Sequence, residues 1–511
     1  MRLPILLILL FSVLNTFSQS PGDQFFAEDQ VIKVELDFTQ PAFWDSLVAN
    51  YPSETYMKAD VTITDNSGTY IFYEIGIRLK GNSSYGHPGD KKSFKVDFNR
   101  YNDVLEYDGL KKLNFNNCFK DPTFMREKIV YDLSSVAGVP APRCIYAEIY
   151  MNDLYWGFYN VVEQVDDEFL DTHFNNKSEN LFKAGAAFGM GMFFADLKYY
   201  GTDTTEYQNR YSLENNSDEN NWSDLMELCN FINNSTDAEF ASSLGNYFNV
   251  DDLMKSLVTD NLFSNLDSYT NSARNYYLYH NSDTDLWEWI KWDCNEAFGS
   301  YKGGPDIGVE DLTLLEPGYF GADRPLLERI LTIKETRIIY DEWYCEIKNN
   351  FFTPEYLDPI INALKTLIQA GVYSDFNKMY IYEEFDTNIE SDIVSGGPMS
   401  GTIYGLKSFV DERNAYLNTS LCCELFSGVE SNVNNTIIQI YPNPAKDIIY
   451  ISFDKVNNAT IKLFDLSGNQ LNIIITNNLI NQINISELPA SIYYLKIDSV
   501  DITEFREFVK L

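Results

Sequence analysis

Histidine and basic residues are scarce in this sequence, and each shortage excludes a class of function. Only 3 of the 511 residues are histidine, so a zinc enzyme that relies on several histidine ligands is not expected. Lysine and arginine together number 38 against 75 aspartate and glutamate residues, which gives a net charge of −37. A surface of that sign repels nucleic-acid backbones, and we therefore expect no nucleic-acid partner.

Cysteines and long hydrophobic runs are also few. The 7 cysteines are scattered along the chain, so the sequence does not describe a small scaffold held together by disulfides. Beyond the first residues, no stretch has the roughly 20 consecutive apolar residues that a membrane-spanning helix needs. Both absences favour a globular chain with ordinary apolar cores.

The first 18 residues have the pattern of a secretory signal peptide. Positively charged Arg2 precedes an apolar run that ends at Leu14, and the small residues Thr16 and Ser18 follow. The run is too short to span a bilayer comfortably, so we interpret residues 1–18 as a leader that is removed during export. No transmembrane segment is then expected in the remaining chain.

The rest of the chain divides into three parts by its hydrophobic pattern. Apolar and polar residues alternate from about 30 to 165, as in β-strands, and helical spacing dominates from about 166 to 420. A stretch rich in Ser, Asn and Gly follows, and the last part alternates again. We therefore predict a main domain at 19–420, a linker at 421–438 and a small all-β sandwich domain at 439–511.

Two charged residues share a predicted strand face with apolar residues. Lys92 has the parity of Phe94 and Val96, and Glu163 has the parity of Val161. An ionised side chain on an apolar face must be paired or must border a binding site. Lys92 and Glu163 are therefore candidates for a lysine–glutamate pair. The alternative is a strand end at which Lys92 reaches solvent.

A second group of polar residues lies between 267 and 299. Asp267 follows a helical pattern, and Asp293 and Asn295 follow an aromatic strand that ends at Trp292. Carboxylate and amide oxygens two residues apart can approach one hard cation such as Mg²⁺. A lone Asp-x-Asn is common by chance, and a turn cap after the strand is the structural alternative.

Four segments of the main domain form an ordered set of motifs. They are GIRLKGNSS (76–84) with KKSFK (91–95), LNFNN (113–117) with DPTFMREK (121–128), GVPAPR (138–143) with YWGFY (155–159) and EQVD (163–166), and NLDSY (265–269) with NYYLY (275–279) and WD (292–293). Together they resemble the CotH (spore coat protein H-like) family of atypical kinases over about residues 30–420. Motifs in the right order over such a span are far more specific than any one of them.

The resemblance implies a fold and an activity. The fold would be α+β, an atypical two-lobed protein-kinase-like structure with a β-rich N-terminal lobe and a helical C-terminal lobe. ATP and a divalent cation, Mg²⁺ or Mn²⁺, would bind between the lobes. The activity would be transfer of the γ-phosphate of ATP to Ser or Thr of a protein substrate, which would make the chain an enzyme.

The resemblance also implies roles for particular residues. Asp267 would be the catalytic carboxylate, Lys92 would contact the nucleotide phosphates, and Glu163 would orient Lys92 or hold metal. Asp293 would bind the metal, with Asn275 or Asn295 assisting. The phosphates would be covered by residues of one strand and the loop after it: Arg78, Lys80, Gly81, Asn82 and Ser83.

One position departs from the family pattern. Members of the family commonly have Asp-x-Asp after the tryptophan, whereas this chain has Asp293-Cys294-Asn295. Asparagine keeps an oxygen ligand but loses a charge. The alternative function is therefore a catalytically inactive surface protein of the same family, which binds a partner or a polysaccharide.

The last domain carries a second set of motifs. YPNPA (441–445), LFDLSG (463–468) and LPASIYYLKI (488–497) resemble the C-terminal sorting domain of the type IX secretion system of Bacteroidota. Ser491 stands where that family usually has glycine. The resemblance implies export with the signal peptide and then passage through the type IX secretion machinery, as a partner, to the cell surface or the medium.

Overall fold

A computed structural model gives the structure of the chain. It describes residues 20–185, 193–216, 218–301, 323–395 and 401–420, and in the C-terminal part 438–441, 445–446, 448–453, 459–464, 470–476, 478, 480–486, 488–489, 491–498 and 503–510. The chain divides into two compact units, Met1–Cys423 and Glu424–Leu511. The predicted leader lies outside the described residues, and so does the predicted linker apart from its last residue.

The first unit begins with a closed β-barrel. Its seven strands are β1 (Val31–Asp37), β2 (Met57–Asp65), β3 (Gly68–Leu79), β4 (Phe94–Asp97), β5 (Lys112–Asn116), β6 (Cys144–Met151) and β7 (Leu154–Glu163). They pair in the order β1-β2-β3-β4-β5-β7-β6. The barrel closes because β1 pairs antiparallel with β2 on one edge and parallel with β6 on the other.

Alternation along the strands fills the interior of the barrel. The apolar residues of β3 and β4 lie in its core: Ile75, Ile77, Leu79, Phe94 and Val96. Successive side chains of a strand point to opposite faces, so the polar residues between them lie on the outer face. The strand register places Arg78 opposite Lys95, and Lys95 opposite Asn114. The outer face of β3, β4 and β5 is therefore polar and basic.

Helices and smaller sheets make up the rest of the first unit. The described helices are α1 (Phe43–Asn50), α2 (Ser83–Gly86), α3 (Arg126–Val136), α4 (Asp167–Phe174), α5 (Thr204–Gln208), α6 (Ser223–Asn234), α7 (Asp237–Ser243), α8 (Val250–Leu262), α9 (Pro325–Thr332), α10 (Lys334–Asn350), α11 (Pro354–Ser374), α12 (Tyr382–Glu390) and α13 (Leu406–Ser420). A second sheet has the order β11-β10-β8-β9, with strands β8 (Leu181–Ala184), β9 (Tyr211–Leu213), β10 (Tyr276–Asn281) and β11 (Leu286–Lys291). The short strands β12 (Ile393–Ser395) and β13 (Gly401–Ile403) pair antiparallel.

The two-lobed protein-kinase-like fold expected from the resemblance is wrong. The strands between 31 and 163 close into a barrel, because β1 has a partner strand on both of its edges. The part expected to form a helical lobe also contains the four-stranded sheet of β8 to β11. The first unit is therefore a mixed α+β structure built around a closed barrel.

A buried carboxylate sets the start of α3. The pair Asp121-Pro122 has the pattern of an N-cap followed by the first helical residue, yet the helix begins at Arg126. The Asp121 side chain accepts hydrogen bonds from the backbone N of Thr123 at 2.9 Å and of Arg126 at 2.9 Å. The Arg126 guanidinium donates to Asp121 and, across the unit, to Asn388 of α12. Asp121 thus holds a turn before the helix and orients a buried arginine.

A buried ion pair connects α11 to the barrel. Lys91 donates to the Asp375 carboxylate at 2.5 Å, and both side chains are almost completely buried. The same carboxylate accepts hydrogen bonds from the backbone N of Phe158 on β7 at 3.0 Å and of Asn377 at 2.8 Å. Asp375 follows the last residue of α11 directly. Three separate parts of the chain therefore meet at this one carboxylate.

Asp375→Ala is expected to lower the free energy of unfolding by about 3–5 kcal/mol, because it leaves the Lys91 ammonium buried and unpaired. Urea denaturation of the purified protein measures the change. The matched control is Asp171→Ala, which removes the partner of Lys177 in a pair whose side chains are 39% and 44% exposed. Removing this exposed pair is expected to lower the free energy of unfolding by only about 0–1 kcal/mol. Equal losses for the two variants would contradict the structural role of Asp375.

The second unit is all-β in its described residues. Its strands are β14 (Ile438–Tyr441), β15 (Ile448–Phe453), β16 (Ala459–Phe464), β17 (Gln470–Thr476), β18 (Ile480–Asn484), β19 (Ser491–Asp498) and β20 (Thr503–Lys510). One sheet has the order β14-β15-β18 and the other β17-β16-β19-β20. Ile449 of the first sheet and Ile461 and Leu495 of the second share one apolar core.

Candidate functional site

A group of cations lies on the outer face of the barrel and on the neighbouring sheet. We call it the basic cluster, and its members are Arg78, Lys80, Lys95, Lys112 and Lys183. Burial lowers the pKa of Lys95 well below its usual value, and the positive charges of Lys80, Arg78, Lys183 and Lys112 lower it further. The Asp166 carboxyl group lies in the field of Lys112 and Lys95, but burial raises its pKa to about 8. The cluster therefore favours an anionic ligand, which would relieve the repulsion between like charges.

Lys80 connects the basic cluster to the acidic side of the site. Its ammonium donates to the amide oxygens of Asn114 and Asn116, both at 2.9 Å, and lies 5.5 Å from the centroid of the Trp292 ring. Burial lowers its pKa to about 8; the carboxylate of Asp293 opposes that change and the ammonium of Lys183 adds to it. Lys80 is thus a buried cation within the field of Asp293.

Glu127 on α3 faces Lys80 through a bridging amide. The Asn116 side chain accepts from Lys80 and donates to both carboxylate oxygens of Glu127 at 3.0 Å. Tyr131, one turn later on α3, also donates to Glu127, at 3.1 Å. Burial raises the pKa of Glu127 to about 7, and the charge of Asp293 adds to the rise. A lysine–glutamate pair was expected between Lys92 and Glu163. In the structure, Lys80 and Glu127 form a comparable arrangement, which Asn116 bridges.

Asp293 follows β11 and Trp292 in a left-handed backbone conformation, with a φ of +55°. Its backbone N donates to the hydroxyl of Tyr131 at 2.8 Å, which fixes the turn against α3. Among the described residues, its carboxylate has no hydrogen-bond partner. Burial raises its pKa, and the charges of Lys80 and Lys183 oppose the rise. The carboxylate is therefore available for a ligand.

Asp267 lies at the start of a loop that Asn275 closes. The Asn275 side chain donates to the backbone carbonyl of Asp267 at 2.7 Å and to its Oδ2 at 3.0 Å. Oδ1 of Asp267 is buried without a hydrogen-bond partner in the described part of the chain. Burial raises the pKa of Asp267 to about 6; the nearby charge of Arg274 and the Ser272 side chain oppose the rise, and the charge of Asp293 adds to it. Asn275 thus holds one oxygen of this carboxylate, and the other accepts no hydrogen bond from the described residues.

Asn295 and Glu296 form the remaining acidic side. The Asn295 amide donates to the carbonyl of Phe119 at 2.9 Å, and Lys120 donates to the Glu296 carboxylate at 2.6 Å. Burial raises the pKa of Glu296 to about 8, and the negative charge of Asp267 adds to the rise. The structure thus brings Asp267 and the segment from Asp293 to Glu296 into one electrostatic environment.

The expected pair between Lys92 and Glu163 is not formed. Lys92 precedes the first residue of β4, so strand parity does not apply to it, and its ammonium donates to the carbonyls of Tyr85 and His87. Glu163 is completely buried and accepts from the Arg143 side chain at 3.0 and 2.5 Å. The structure therefore separates both residues from the pairing on which their expected roles depended.

The predicted phosphate-covering residues lie at the end of β3 and in the loop after it. Arg78 pairs with Glu54 at 3.1 Å, and the carbonyl of Gly81 accepts from the hydroxyl of Tyr51 at 2.5 Å. Asn82 and Ser83 are exposed. Of this set, Lys80 has the closest relation to the acidic side. The phosphate contacts of Gly81, Asn82 and Ser83 remain a prediction.

Sequence reasoning missed Lys95, Glu127 and Arg274. Alternation with Phe94 and Val96 does place Lys95 outside the barrel, but nothing in the sequence distinguishes an outer face covered by other elements from one open to solvent. Glu127 lies in α3 and Arg274 lies in the loop that follows Asp267, and the sequence does not show which residues contact them. Only the folded chain shows that they face Lys80 and Asp267.

The site contains oxygen atoms of the types that bind Mg²⁺ and Mn²⁺ in proteins. Carboxylates of Asp267 and Asp293 and amide oxygens of Asn275 and Asn295 are hard ligands, which suit Mg²⁺ or Mn²⁺. Within the described ranges, no group of three or more His, Cys, Asp or Glu side chains is arranged to hold a metal ion. Mg²⁺ commonly takes one or two carboxylates plus substrate phosphates, so a cation bound here would need ligands from outside the described residues.

Comparison with known proteins gives matches for both units. Residues 77–417 match the family described as CotH kinase protein, and residues 439–510 match the secretion system C-terminal sorting domain. Over 329 residues the chain is 26% identical to the inner spore coat protein H of Bacillus subtilis (strain 168). This match covers 63% of this chain and 83% of that protein. It is 22% identical over 292 residues to the protein named invasin CotH3 of Rhizopus delemar, with 53% of this chain and 46% of that protein covered.

These matches also indicate where the protein goes. The sorting domain indicates export by type IX secretion to the cell surface or beyond. No helix in the described ranges is both long and apolar enough to cross a membrane.

Because the first family match spans more than half of the sequence, the chain belongs to the CotH kinase protein family.

Proposed function

We propose that the protein is an exported phosphotransferase that moves the γ-phosphoryl group of ATP to a Ser or Thr hydroxyl of a protein substrate. The observation that carries the proposal is the position of the buried basic cluster beside the carboxylates of Asp267 and Asp293. Phosphoryl transfer needs little covalent chemistry from the protein; it needs charge stabilisation of the phosphates and a carboxylate at the attacking hydroxyl. The description of the matched family as a kinase supports the same activity.

The basic cluster would bind the nucleotide phosphates. Lys80 and Lys95 are desolvated and close to other cations, so each is unstable as an isolated charge. A polyphosphate would neutralise both ammonium groups and accept charge-assisted hydrogen bonds from them. Asn116 would keep Lys80 in place, because it accepts from Lys80 and donates to Glu127.

Asp293 would bind the divalent cation, with the amide oxygens of Asn275 or Asn295 assisting. Its carboxylate has no hydrogen-bond partner among the described residues, and it repels the neighbouring Asp267. A cation would relieve that repulsion and, when bound, would neutralise charge on the phosphate oxygens. The phosphates themselves would complete its coordination.

Asp267 would accept the proton of the attacking hydroxyl. Asn275 holds Oδ2 of Asp267, and Oδ1 is free of hydrogen bonds. The hydroxyl oxygen of the substrate forms a bond to the γ-phosphorus, the bond from that phosphorus to the β–γ bridging oxygen breaks, and the proton passes to Asp267. The products are the phosphorylated protein and ADP.

ATP with Mg²⁺ is expected to raise the melting temperature of the purified protein, because a ligand at 100 times its Kd stabilises the folded state by about 2.7 kcal/mol. Lys80→Met should lose most of that shift, since it removes a buried ammonium from the phosphate site. Lys58→Met is the matched control, because the side chain of Lys58 is 45% exposed and pairs with Glu74 elsewhere on the barrel. Differential scanning fluorimetry measures the shifts.

Transfer itself is measured with γ-labelled ATP and dephosphorylated casein, a protein that presents many Ser and Thr hydroxyls. Incorporation of label by the wild type and its loss in Lys80→Met would support the proposal. The proposal would be overturned if ATP did not stabilise the protein and no label was incorporated, with Mg²⁺ or with Mn²⁺. The alternative function, a catalytically inactive surface protein that binds a partner or a polysaccharide, would then describe the chain better.

A further inference from the structure

Arg274 occupies an unusual place beside the free oxygen of Asp267. It ends the loop that begins at Asp267 and is closed by Asn275. Ala273 and Asn275, on either side of it, both have left-handed backbone conformations, with φ of +50° and +61°. A side-chain carbon at Gly185 would come within 3.3 Å of the Arg274 Cβ, so glycine there leaves room for the arginine. The loop therefore holds Arg274 in a defined position.

The guanidinium of Arg274 is close to two carboxylates but is not committed to either. Its Nε lies 3.9 Å from Oδ1 of Asp267, which is longer than a hydrogen bond, and donates weakly to the carbonyl of Ser272 at 3.5 Å. Its positive charge also acts on Asp293. Neither terminal nitrogen has a partner in the described part of the chain, and the side chain is 43% exposed.

The charges of Arg274 and Lys120 both act on Asp267. Lys120 donates to the Glu296 carboxylate, whereas the terminal nitrogens of Arg274 have no partner among the described residues. A guanidinium with two free terminal nitrogens matches the geometry of a terminal phosphate, which it can bind through two parallel hydrogen bonds.

We propose that Arg274 is a catalytic residue that binds the γ-phosphoryl group of ATP while that group is transferred. The inference rests on the proposed function and adds a residue that binds the terminal phosphate. As the bond to the bridging oxygen breaks and the bond to the substrate oxygen forms, negative charge stays on the three outer oxygens of the γ-phosphorus. Arg274 stabilises that charge next to the carboxylate that takes the proton.

Binding of two nucleotides, without turnover, tests this assignment. The probes are ADP and the non-hydrolysable analogue AMP-PNP, each with Mg²⁺, and the readout is Kd by isothermal titration calorimetry. Arg274→Ala is expected to weaken AMP-PNP binding by about 10- to 100-fold, the loss of a hydrogen-bonded charge pair, and to leave ADP binding unchanged. Arg274→Lys should recover part of the loss. Arg337→Ala, which removes an arginine paired with Asp341 on α10, is the matched control.

The outcomes separate this inference from the proposed function. A wild type that binds neither nucleotide overturns the proposed function and the inference with it. A wild type that binds both, with Arg274→Ala unchanged for AMP-PNP or equally weakened for both nucleotides, overturns the inference alone. The melting temperatures of Arg274→Ala and Arg274→Lys show whether each variant is folded, and the conservative variant keeps the test valid if the alanine variant is not.

Discussion

Asp293→Asn is expected to lower the rate of phosphoryl transfer to a protein by about 10²- to 10³-fold, as removal of one preorganised electrostatic group does in other enzymes. The Asp293 carboxylate has no hydrogen-bond partner among the described residues. Burial raises its pKa, and the cations Lys80, Lys183 and Arg274 oppose that rise. Asparagine keeps an oxygen ligand but loses the charge, so the site would hold a divalent cation more weakly. The rate is measured with labelled ATP at saturating Mg²⁺.

The substitution is chosen to leave the backbone unchanged. Asp293 has a left-handed φ of +55°, and asparagine adopts that conformation more readily than most residues. Asp285→Asn is the matched control: Asp285 precedes β11 with a φ of +59°, and its side chain is 92% exposed. We expect a normal rate for the control. A normal rate for Asp293→Asn as well would contradict the metal-binding role of Asp293.

Local periodicity predicted the inside of the barrel but not its closure. Alternation along β3 and β4 depends only on neighbouring residues. The apolar residues at its alternate positions, such as Ile75, Ile77 and Phe94, are the ones in the barrel core. Closure depends on β1 pairing in parallel with β6, a strand far away in the sequence. Nothing in either strand's own pattern specifies that partner, so the expected fold class was wrong although several of the strands were predicted.

The same difference between local and distant contacts explains the candidate site. The parity argument for Lys92 fails because β4 begins only at Phe94. A buried charge does require a partner, and that rule holds for Glu163, but its partner is Arg143. The lysine–glutamate arrangement joins Lys80 to Glu127 through an asparagine of a third element. Such a bridge depends on strand register and helix placement, which single-sequence reasoning does not reach.

The acidic residues Asp267 and Asp293 were predicted for a different reason. Each follows the end of a helix or strand in a segment with turn residues, and such positions carry binding and catalytic groups more often than element interiors do. The structure places the two within each other's electrostatic field. Their roles stay predictions. Of the cations that act on Asp293, Lys80 was also predicted from the resemblance, whereas Lys183 and Arg274 are visible only in the fold.

Asp267→Asn is expected to lower the rate of transfer by about 10²- to 10⁴-fold, the contribution of a general base, while the Kd for AMP-PNP with Mg²⁺ changes little. An amide cannot take the proton that the free Oδ1 would accept. The loop should stay closed, because Asn275 also donates to the backbone carbonyl of Asp267 at 2.7 Å. Rates come from labelled ATP, and Kd comes from calorimetry.

The control for this variant is a carboxylate of the same exposure outside the site. Asp224 on α6 is 16% exposed, as Asp267 is, and accepts a hydrogen bond from Asn180. Asp224→Asn should therefore transfer phosphate at the wild-type rate. If Asp267→Asn weakens AMP-PNP binding as strongly as it slows transfer, Asp267 acts on the nucleotide or its metal and not on the hydroxyl. That result would contradict its assignment as the base, whereas a loss confined to the rate would place Asp267 at the attacking oxygen.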